Sequence, residues 1–166
     1  MGAGMFFCRH PDAVRSAFAV STSYMPVKSN DDIDDPYVTT AQWSRRMIGL
    51  KMFMSLAELG ADGYARQIEN QAALGNLIRE RLRATDWRID NDTLLPVVCF
   101  SDDRLSIADD WAMKMLTIVY RRNRVWISQV KLGKKQVLRA CVTSYHTNAE
   151  DIECLIDELE VARRQA

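Results

Sequence analysis

Short apolar runs and helical periodicity alternate along the second half of the chain. Runs of β-branched and aromatic residues bounded by Gly, Pro or Asp predict strands, and apolar positions three and four apart predict helices. We therefore predict strands at 87–89, 96–101, 125–130 and 136–142, and helices beginning near 106 and 148. Ser106 and Asp109 resemble a capping box at the first of these helices, with Ile107 facing the core. The order β-β-α-β-β-α predicts a compact two-layer α+β unit with its helices on one face of a sheet.

The first half of the chain is mainly helical in pattern. The predicted elements are a strand at 5–9, a short helix at 11–18, a loop at 19–36 and longer helices at 40–59 and 62–84. Pro11 suits the first turn of the short helix, and Gly60 is a stop signal between the two long ones. The loop is rich in Ser and Asp, and a loop of this length inside a compact domain is usually functional or disordered.

The helix predicted at 40–59 is almost wholly apolar, yet Arg45 and Arg46 stand near its start. A buried guanidinium group needs an anion or backbone carbonyls as partners. This helix start is therefore a candidate wall of a site. The alternative interpretation is that both cations reach solvent from an exposed helix start.

Composition excludes several classes of function. The chain of 166 residues has 22 basic and 22 acidic residues, so it has no excess positive charge for binding nucleic acid. No apolar run approaches the roughly 20 residues that cross a bilayer, which argues against a membrane protein. The four cysteines are far apart and only two histidines accompany them, so we expect no metal site and a reducing cytoplasm.

Three features could carry chemistry, although the common catalytic motifs are missing. Tyr24 is an aromatic hydroxyl on the predicted loop and could donate a proton; the alternative is an ordinary exposed or packed tyrosine. The second feature is the Ser44-Arg45-Arg46 helix start. Arg139 is the third, because a cation between the apolar residues of a strand requires an anion unless it lies on the solvent face.

In their order along the chain, these features resemble the C-terminal part of the group II pyridoxal-phosphate-dependent amino acid decarboxylases. That family includes the aromatic amino acid, histidine and glutamate decarboxylases. The most specific similarity is the segment from Ser44-Arg45-Arg46 to Leu50-Lys51-Met52-Phe53. Further similarities are Gly2–Arg9, Ala17-Phe18 with Ser23-Tyr24-Met25, Val98–Phe100 and Val137–Arg139.

The resemblance implies an α/β fold, the C-terminal part of a fold-type I pyridoxal-phosphate enzyme. Residues 1–39 would be the end of the large cofactor domain with the catalytic loop, 40–84 the linking helices, and 85–166 a small α+β domain. It also implies pyridoxal 5'-phosphate as cofactor, an amino acid substrate and a homodimer with its active site at the interface.

The resemblance also assigns roles to the candidate residues. Tyr24 would protonate the substrate carbon after carbon dioxide leaves, and a Phe at that position would divert turnover toward oxidative chemistry. Ser44 would line the substrate pocket, and Arg45 would border it. Arg139 would be an anchor or an active-site-facing residue of the small domain.

The Schiff-base lysine of the family lies before the segment that matches Gly2-Ala3-Gly4, and no lysine of this chain stands in a matching context. We therefore expect a C-terminal fragment that is inactive alone, whereas the full-length enzyme would decarboxylate an L-amino acid, with an aromatic one favoured. Two alternatives remain. One is a carbon–carbon lyase of the same cofactor fold, and the other is a non-enzymatic α+β module that binds a partner.

Overall fold

The computed structural model describes residues 4–19, 39–42 and 46–166. The chain forms two compact units, Met1–Glu58 and Leu59–Ala166, which are treated separately below. No described helix is both long and apolar enough to span a membrane.

The first unit contains helix α1, Pro11–Ala17, which confirms the predicted short helix. Its proline stands in the first turn, where the missing N–H of a proline costs no hydrogen bond. The strand predicted at 5–9 is wrong, because these residues have no regular structure and Phe6 and Phe7 are exposed. No described strand pairs with them, and an unpaired strand gains little stability.

Helix α2, Ile48–Ala84, is interrupted at Gly60, whose φ of 64° and ψ of 178° are not helical. The predicted start near residue 40 is wrong, because 39–42 and 46–47 are not α-helical. Arg46 therefore precedes the helix instead of standing in its first turn. Gly60 does break the helix as predicted, and the φ and ψ it adopts are essentially restricted to glycine.

The second unit is built on a four-stranded antiparallel sheet of order β1-β2-β4-β3. Its strands are β1 (Arg88–Ile89), β2 (Val97–Ser101), β3 (Ser128–Leu132) and β4 (Lys135–Cys141). All four predicted strands of this half are confirmed, with shifts of a few residues at their ends. Gly133, with φ of 62°, makes the tight turn between β3 and β4.

Two helices complete this unit, α3 (Trp111–Arg122) and α4 (Ala149–Arg163). Helix α4 begins near residue 148 as predicted, and Asn148 caps it by accepting from the backbone N–H groups of Glu150 and Asp151. The capping box predicted at Ser106 is wrong. A 3-10 helix, Leu105–Ile107, occupies that position, α3 begins later at Trp111, and Ile107 is 85% exposed.

The hydrophobic core lies between one face of the sheet and the helices. It includes Ile78 and Leu82 of α2, Met115 and Val119 of α3, Ile156 and Leu159 of α4, and Val98, Phe100, Leu138 and Ala140 of the sheet. Because side chains alternate along a strand, the residues between these sheet positions lie on the opposite face. We call this opposite side the outer face; it carries Cys99, Ser101, Ser128 and Arg139.

Arg79 of α2 fastens the loop between β1 and β2 to the helix. Its Nη2 donates to the carbonyl oxygens of Thr93, Leu95 and Val97 at 3.0, 3.0 and 3.1 Å. Nearby, Gly75 permits close approach of the same loop, because a Cβ there would lie 2.8 Å from the Cα of Pro96. The loop that enters β2 is therefore held by one buried cation and by close backbone contact.

Candidate functional site

Three of the four site residues predicted from the sequence, Tyr24, Ser44 and Arg45, lie outside the described residues. Their proposed roles therefore stay predictions. Arg139 is the fourth, and it lies within the described sheet.

Arg139 occupies the central strand β4 and lies between two neighbours on the outer face. It is the direct partner of Cys99 on β2 and of Ser128 on β3. Residues directly opposite each other across antiparallel strands have Cβ atoms about 4.5–5.5 Å apart. The three side chains therefore form a short row across the sheet, which we call the Cys99–Arg139–Ser128 row.

Two polar atoms in this row are buried without a hydrogen-bond partner. They are Nε of Arg139 and Oγ of Ser128. Leaving a buried donor or acceptor unsatisfied costs about 1–3 kcal/mol, so such atoms are uncommon in folded proteins. Among the described residues, none accepts a hydrogen bond from Arg139. The row therefore presents hydrogen-bond donors that the described part of the chain leaves unused.

Cys99 adds no compensating negative charge to the row near neutral pH. Burial raises the pKa of its thiol, and this effect outweighs the opposing influence of the Arg139 guanidinium. Cys141 and Asp90 raise the pKa of the thiol further. A thiol whose pKa is raised stays protonated and neutral, so it does not neutralise Arg139.

The carboxylate beside the row is already engaged. Asp90 accepts from Ser101 Oγ at 2.5 Å and from Arg88 Nε at 2.9 Å, and Arg88 Nη2 donates to Ser101 Oγ at 2.7 Å. Arg88 also pairs with Asp103. This network satisfies its own charges, which distinguishes it from Arg139.

Residues 1–102 match the pyridoxal-dependent decarboxylase conserved domain, which is more than half of the chain. The chain belongs to this family.

Relatives of this chain include decarboxylases and an aldehyde synthase. The 3,4-dihydroxyphenylacetaldehyde synthase of Aedes aegypti is 24% identical over 119 residues, 72% of this chain and 22% of that protein. Tryptophan decarboxylase of Catharanthus roseus, solved with L-tryptophan, is 18% identical with a TM-score of 0.77, covering 94% of this chain and 32% of the other. TDC of Oryza sativa, solved with PLP and tryptamine, is 14% identical with a TM-score of 0.78, covering 91% and 33%.

The structural similarity confirms the predicted fold class, part of a fold-type I pyridoxal-phosphate enzyme. The chain spans between 22% and 33% of the length of these relatives. Pyridoxal phosphate is the cofactor of the family, as the sequence indicated.

The described residues do not fit as the binding site of that cofactor. An imine-forming lysine is activated by a desolvated or electropositive environment. The lysines at positions 51, 114, 131, 134 and 135 are all exposed. The part of the chain that the structure describes therefore does not supply the lysine that binds the cofactor.

Cys99 and Ser128 are members of the row that sequence reasoning missed. The alternation of β4 placed Arg139 on one face, but it did not reveal which residues of β2 and β3 would stand opposite. The register that pairs them depends on the β3–β4 turn and on the insertion of β4 beside β2, which no local pattern encodes.

Proposed function

We propose that this chain is part of a pyridoxal-phosphate-dependent decarboxylase of L-amino acids, with an aromatic amino acid as substrate. The proposal follows from membership of the family and from the fold shared with tryptophan-decarboxylating relatives. The observation that carries the contribution of this chain is Arg139, a strand cation with no counter-ion among the described residues.

In this proposal, the active enzyme is a homodimer of chains as long as the relatives. Arg139 faces the substrate from the small domain, and Ser44 and Arg45 border the substrate pocket. Tyr24 delivers a proton to the substrate carbon that has lost carbon dioxide. General acid catalysis of this kind contributes about 10²–10⁴-fold to a rate. The 166-residue chain alone is proposed to be inactive, because no lysine in it stands in the sequence context of the family's Schiff-base lysine.

The first test is to read the DNA upstream of the Met1 codon and to assay the protein that the extended frame encodes. We expect an in-frame coding sequence that supplies a lysine just before the Gly2-Ala3-Gly4 segment. We also expect amine and carbon dioxide from L-tryptophan or L-tyrosine, measured by mass spectrometry. Amine formation by the 166-residue chain alone, or none by the extended protein with any amino acid, would contradict the proposal.

Aldehyde synthesis is a second candidate, because the Aedes aegypti relative is named an aldehyde synthase. That reaction converts an amino acid, dioxygen and water into an aldehyde, carbon dioxide, ammonia and hydrogen peroxide. Tyr24 favours decarboxylation, since a phenol can supply the proton that completes an amine. In the extended protein, Tyr24→Phe should lower amine output by about 10²-fold or more. It should also raise the aldehyde and hydrogen peroxide yields.

A further inference from the structure

A cleft opens at the end of the sheet, where the β3–β4 turn meets the segment that leads into α3. Its volume is about 350 Å³, within the range of about 300–1,000 Å³ that is typical of small-molecule sites. Most of the residues that line it are polar or charged: Arg88, Ser106, Asp109, Lys134, Lys135 and Gln136. None of the roles proposed above uses this cleft.

Lys134 and Lys135 bring positive charge to the cleft from a tight turn. Leu132 pairs with Lys135, so only Gly133 and Lys134 lie between the two strands. Gly133 has φ of 62°, which glycine adopts without strain, and a two-residue turn of this kind leaves the backbone of both lysines little freedom. Among the described residues, neither lysine has an ion-pair partner.

Arg88 adds a third cation, but its charge is already compensated. It pairs with Asp90 and Asp103, and its Nη2 donates to Ser101 Oγ. Asp109 is the acid in the lining, and it has no ion-pair partner in the part of the chain that the structure describes. The unpaired charges of the lining are therefore two ammonium groups and one carboxylate, so the cleft favours an anion.

Trp111 gives a second and independent indication of a ligand. This residue lines the cleft and is 4% exposed, yet none of the described residues accepts a hydrogen bond from its indole N–H. A buried tryptophan N–H usually finds a partner. The nitrogen is not one of the unpaired polar atoms that the fold seals from solvent. An acceptor from outside the chain can therefore reach it.

The donors in the lining suit a phosphate group. Besides the two lysines, Ser106 has a hydroxyl and Gln136 an amide that can donate. A phosphate monoester carries a charge of about −1.5 to −2 at pH 7 and three strong acceptor oxygens, so it can use several of these donors at once. Lysine binds phosphate as a point charge and does not need the paired geometry of an arginine. A carboxylate, with one charge and two oxygens, would leave more of the donors unused.

We propose that this cleft binds a small phosphate monoester, with Lys134 and Lys135 as its main contacts. Ser106, Gln136 and Trp111 are the further donors. Asp109 weakens the binding of ions that carry negative charge alone, and it accepts from a hydroxyl group of the ligand. The site does not depend on the proposed decarboxylation, because its lining contains no residue to which that reaction assigns a role.

NMR titration of the 166-residue chain tests the site, with glycerol 3-phosphate and inorganic phosphate as separate probes at constant ionic strength set by sodium chloride. We expect saturable shifts of the backbone amide signals of residues 133–136 and of the Trp111 indole N–H, with tighter binding of glycerol 3-phosphate. Replacing both lysines, Lys134→Gln with Lys135→Gln, should weaken binding about tenfold or more, because two charge-assisted contacts are lost.

Asp109→Asn should act in the opposite direction on inorganic phosphate. Removing the repulsive carboxylate should strengthen its binding about threefold, whereas glycerol 3-phosphate should gain less because the acceptor for its hydroxyl is weakened. A variant that merely misfolded could not bind more tightly. An unchanged or weakened affinity for inorganic phosphate in Asp109→Asn would overturn the role of Asp109.

Lys131→Gln is the matched control, because Lys131 is an exposed lysine of the same hairpin that does not line the cleft. It should leave the titration unchanged, and a loss equal to that of the double variant would overturn the site. Shifts that do not saturate, or that sodium chloride alone produces, would also overturn it. An indole signal that stays in place at saturation would overturn the role of Trp111.

Two comparisons test the class of ligand. Equal affinity for inorganic phosphate and glycerol 3-phosphate would overturn the assignment to a monoester. A short single-stranded RNA that binds more tightly than glycerol 3-phosphate would overturn the assignment to a small molecule.

Discussion

Glu158 on α4 has the lowest solvent exposure of the charged side chains that the structure describes, at 1%. It accepts hydrogen bonds from Arg122, at the end of α3, and from Arg124 at 2.9 Å. The hydrogen bond from Arg122 is the main reason that the pKa of Glu158 lies below its ordinary value of 4.5, although burial opposes the shift. Glu158 thus joins the end of α3 to α4 through its charge.

We expect Glu158→Gln to lower the free energy of unfolding at pH 7 by about 1–3 kcal/mol, because hydrogen bonds to a charged acceptor are lost. A lowered pKa means that the stabilisation is complete above pH 4.5 and is lost as the pH falls through the folded-state pKa. The difference between wild type and variant should therefore shrink below pH 4.5. Urea unfolding followed by circular dichroism from pH 7 to pH 3 measures it.

The control for this prediction is Glu153→Gln. Glu153 pairs with Arg81 at 2.5 Å, but both side chains are about half exposed. Exposed pairs contribute little, about 0–1 kcal/mol. A loss in Glu158→Gln that stays constant down to pH 3 would contradict the assigned role of the carboxylate.

The residue scale also shows what a sequence can and cannot predict about a site. Arg139 could be singled out because a permanent charge between apolar strand residues is unusual. The partners of Arg139 could not, since Cys99 and Ser128 lie 40 and 11 positions away and are ordinary residues in their own segments. Nothing in the sequence singles out Arg79, yet it is 7% exposed. Its three carbonyl acceptors belong to a loop with no periodicity.

At the scale of elements, the attachment of the β1–β2 loop to α2 depends on Arg79. We expect Arg79→Lys to cost about 2 kcal/mol in unfolding free energy, because a lysine cannot reproduce the planar group that reaches three carbonyls. Amide hydrogen exchange should also accelerate at residues 91–97. Arg81→Lys, a change at an exposed position two residues further along the helix, is the control and should alter neither quantity. Unchanged exchange in the loop would refute this role of Arg79.

A Gly75→Ala substitution tests how closely the β1–β2 loop packs against α2. Alanine favours a helix over glycine by about 1 kcal/mol, so propensity alone predicts that Gly75→Ala stabilises the protein. We expect destabilisation instead, because the new Cβ would lie 2.8 Å from a backbone atom of Pro96. Thermal unfolding measures the sign. Ala73→Gly, at an exposed position of the same helix, measures how much helix propensity alone changes the stability. A higher Tm for Gly75→Ala would show that the β1–β2 loop moves aside to accommodate the new Cβ.

The presence of the helices and strands was easier to predict than the residues at which they begin and end. The strands of the second unit could be recognised from runs of β-branched residues, and α4 could be recognised from apolar positions three and four apart. The start of α3 was placed too early because Ser106 and Asp109 have the spacing of a capping box. Asp102 instead accepts from the backbone N–H groups of Arg104 and Leu105, which supports a 3-10 turn before the helix.

At the scale of the whole molecule, the buried core residues that the structure describes all lie between Leu74 and Ala162. We expect residues 59–166 to fold cooperatively without the preceding residues, with a thermal midpoint within a few degrees of that of the 166-residue chain. Circular dichroism and near-ultraviolet signals of Trp87 and Trp111 measure this. A broad transition without fixed tryptophan signals would contradict the independence of the unit.

The strand order has a consequence for how the protein is made. The central strand β4 is synthesised after both strands that it joins, β2 and β3. Until residue 141 has left the ribosome, β2 and β3 each have an unpaired edge, and unpaired strand edges are templates for aggregation. Translation pauses or premature stops between residues 102 and 135 should therefore yield chains that depend on chaperones. Once Cys141, the last residue of β4, has been released, both remaining ladders of the described sheet can form.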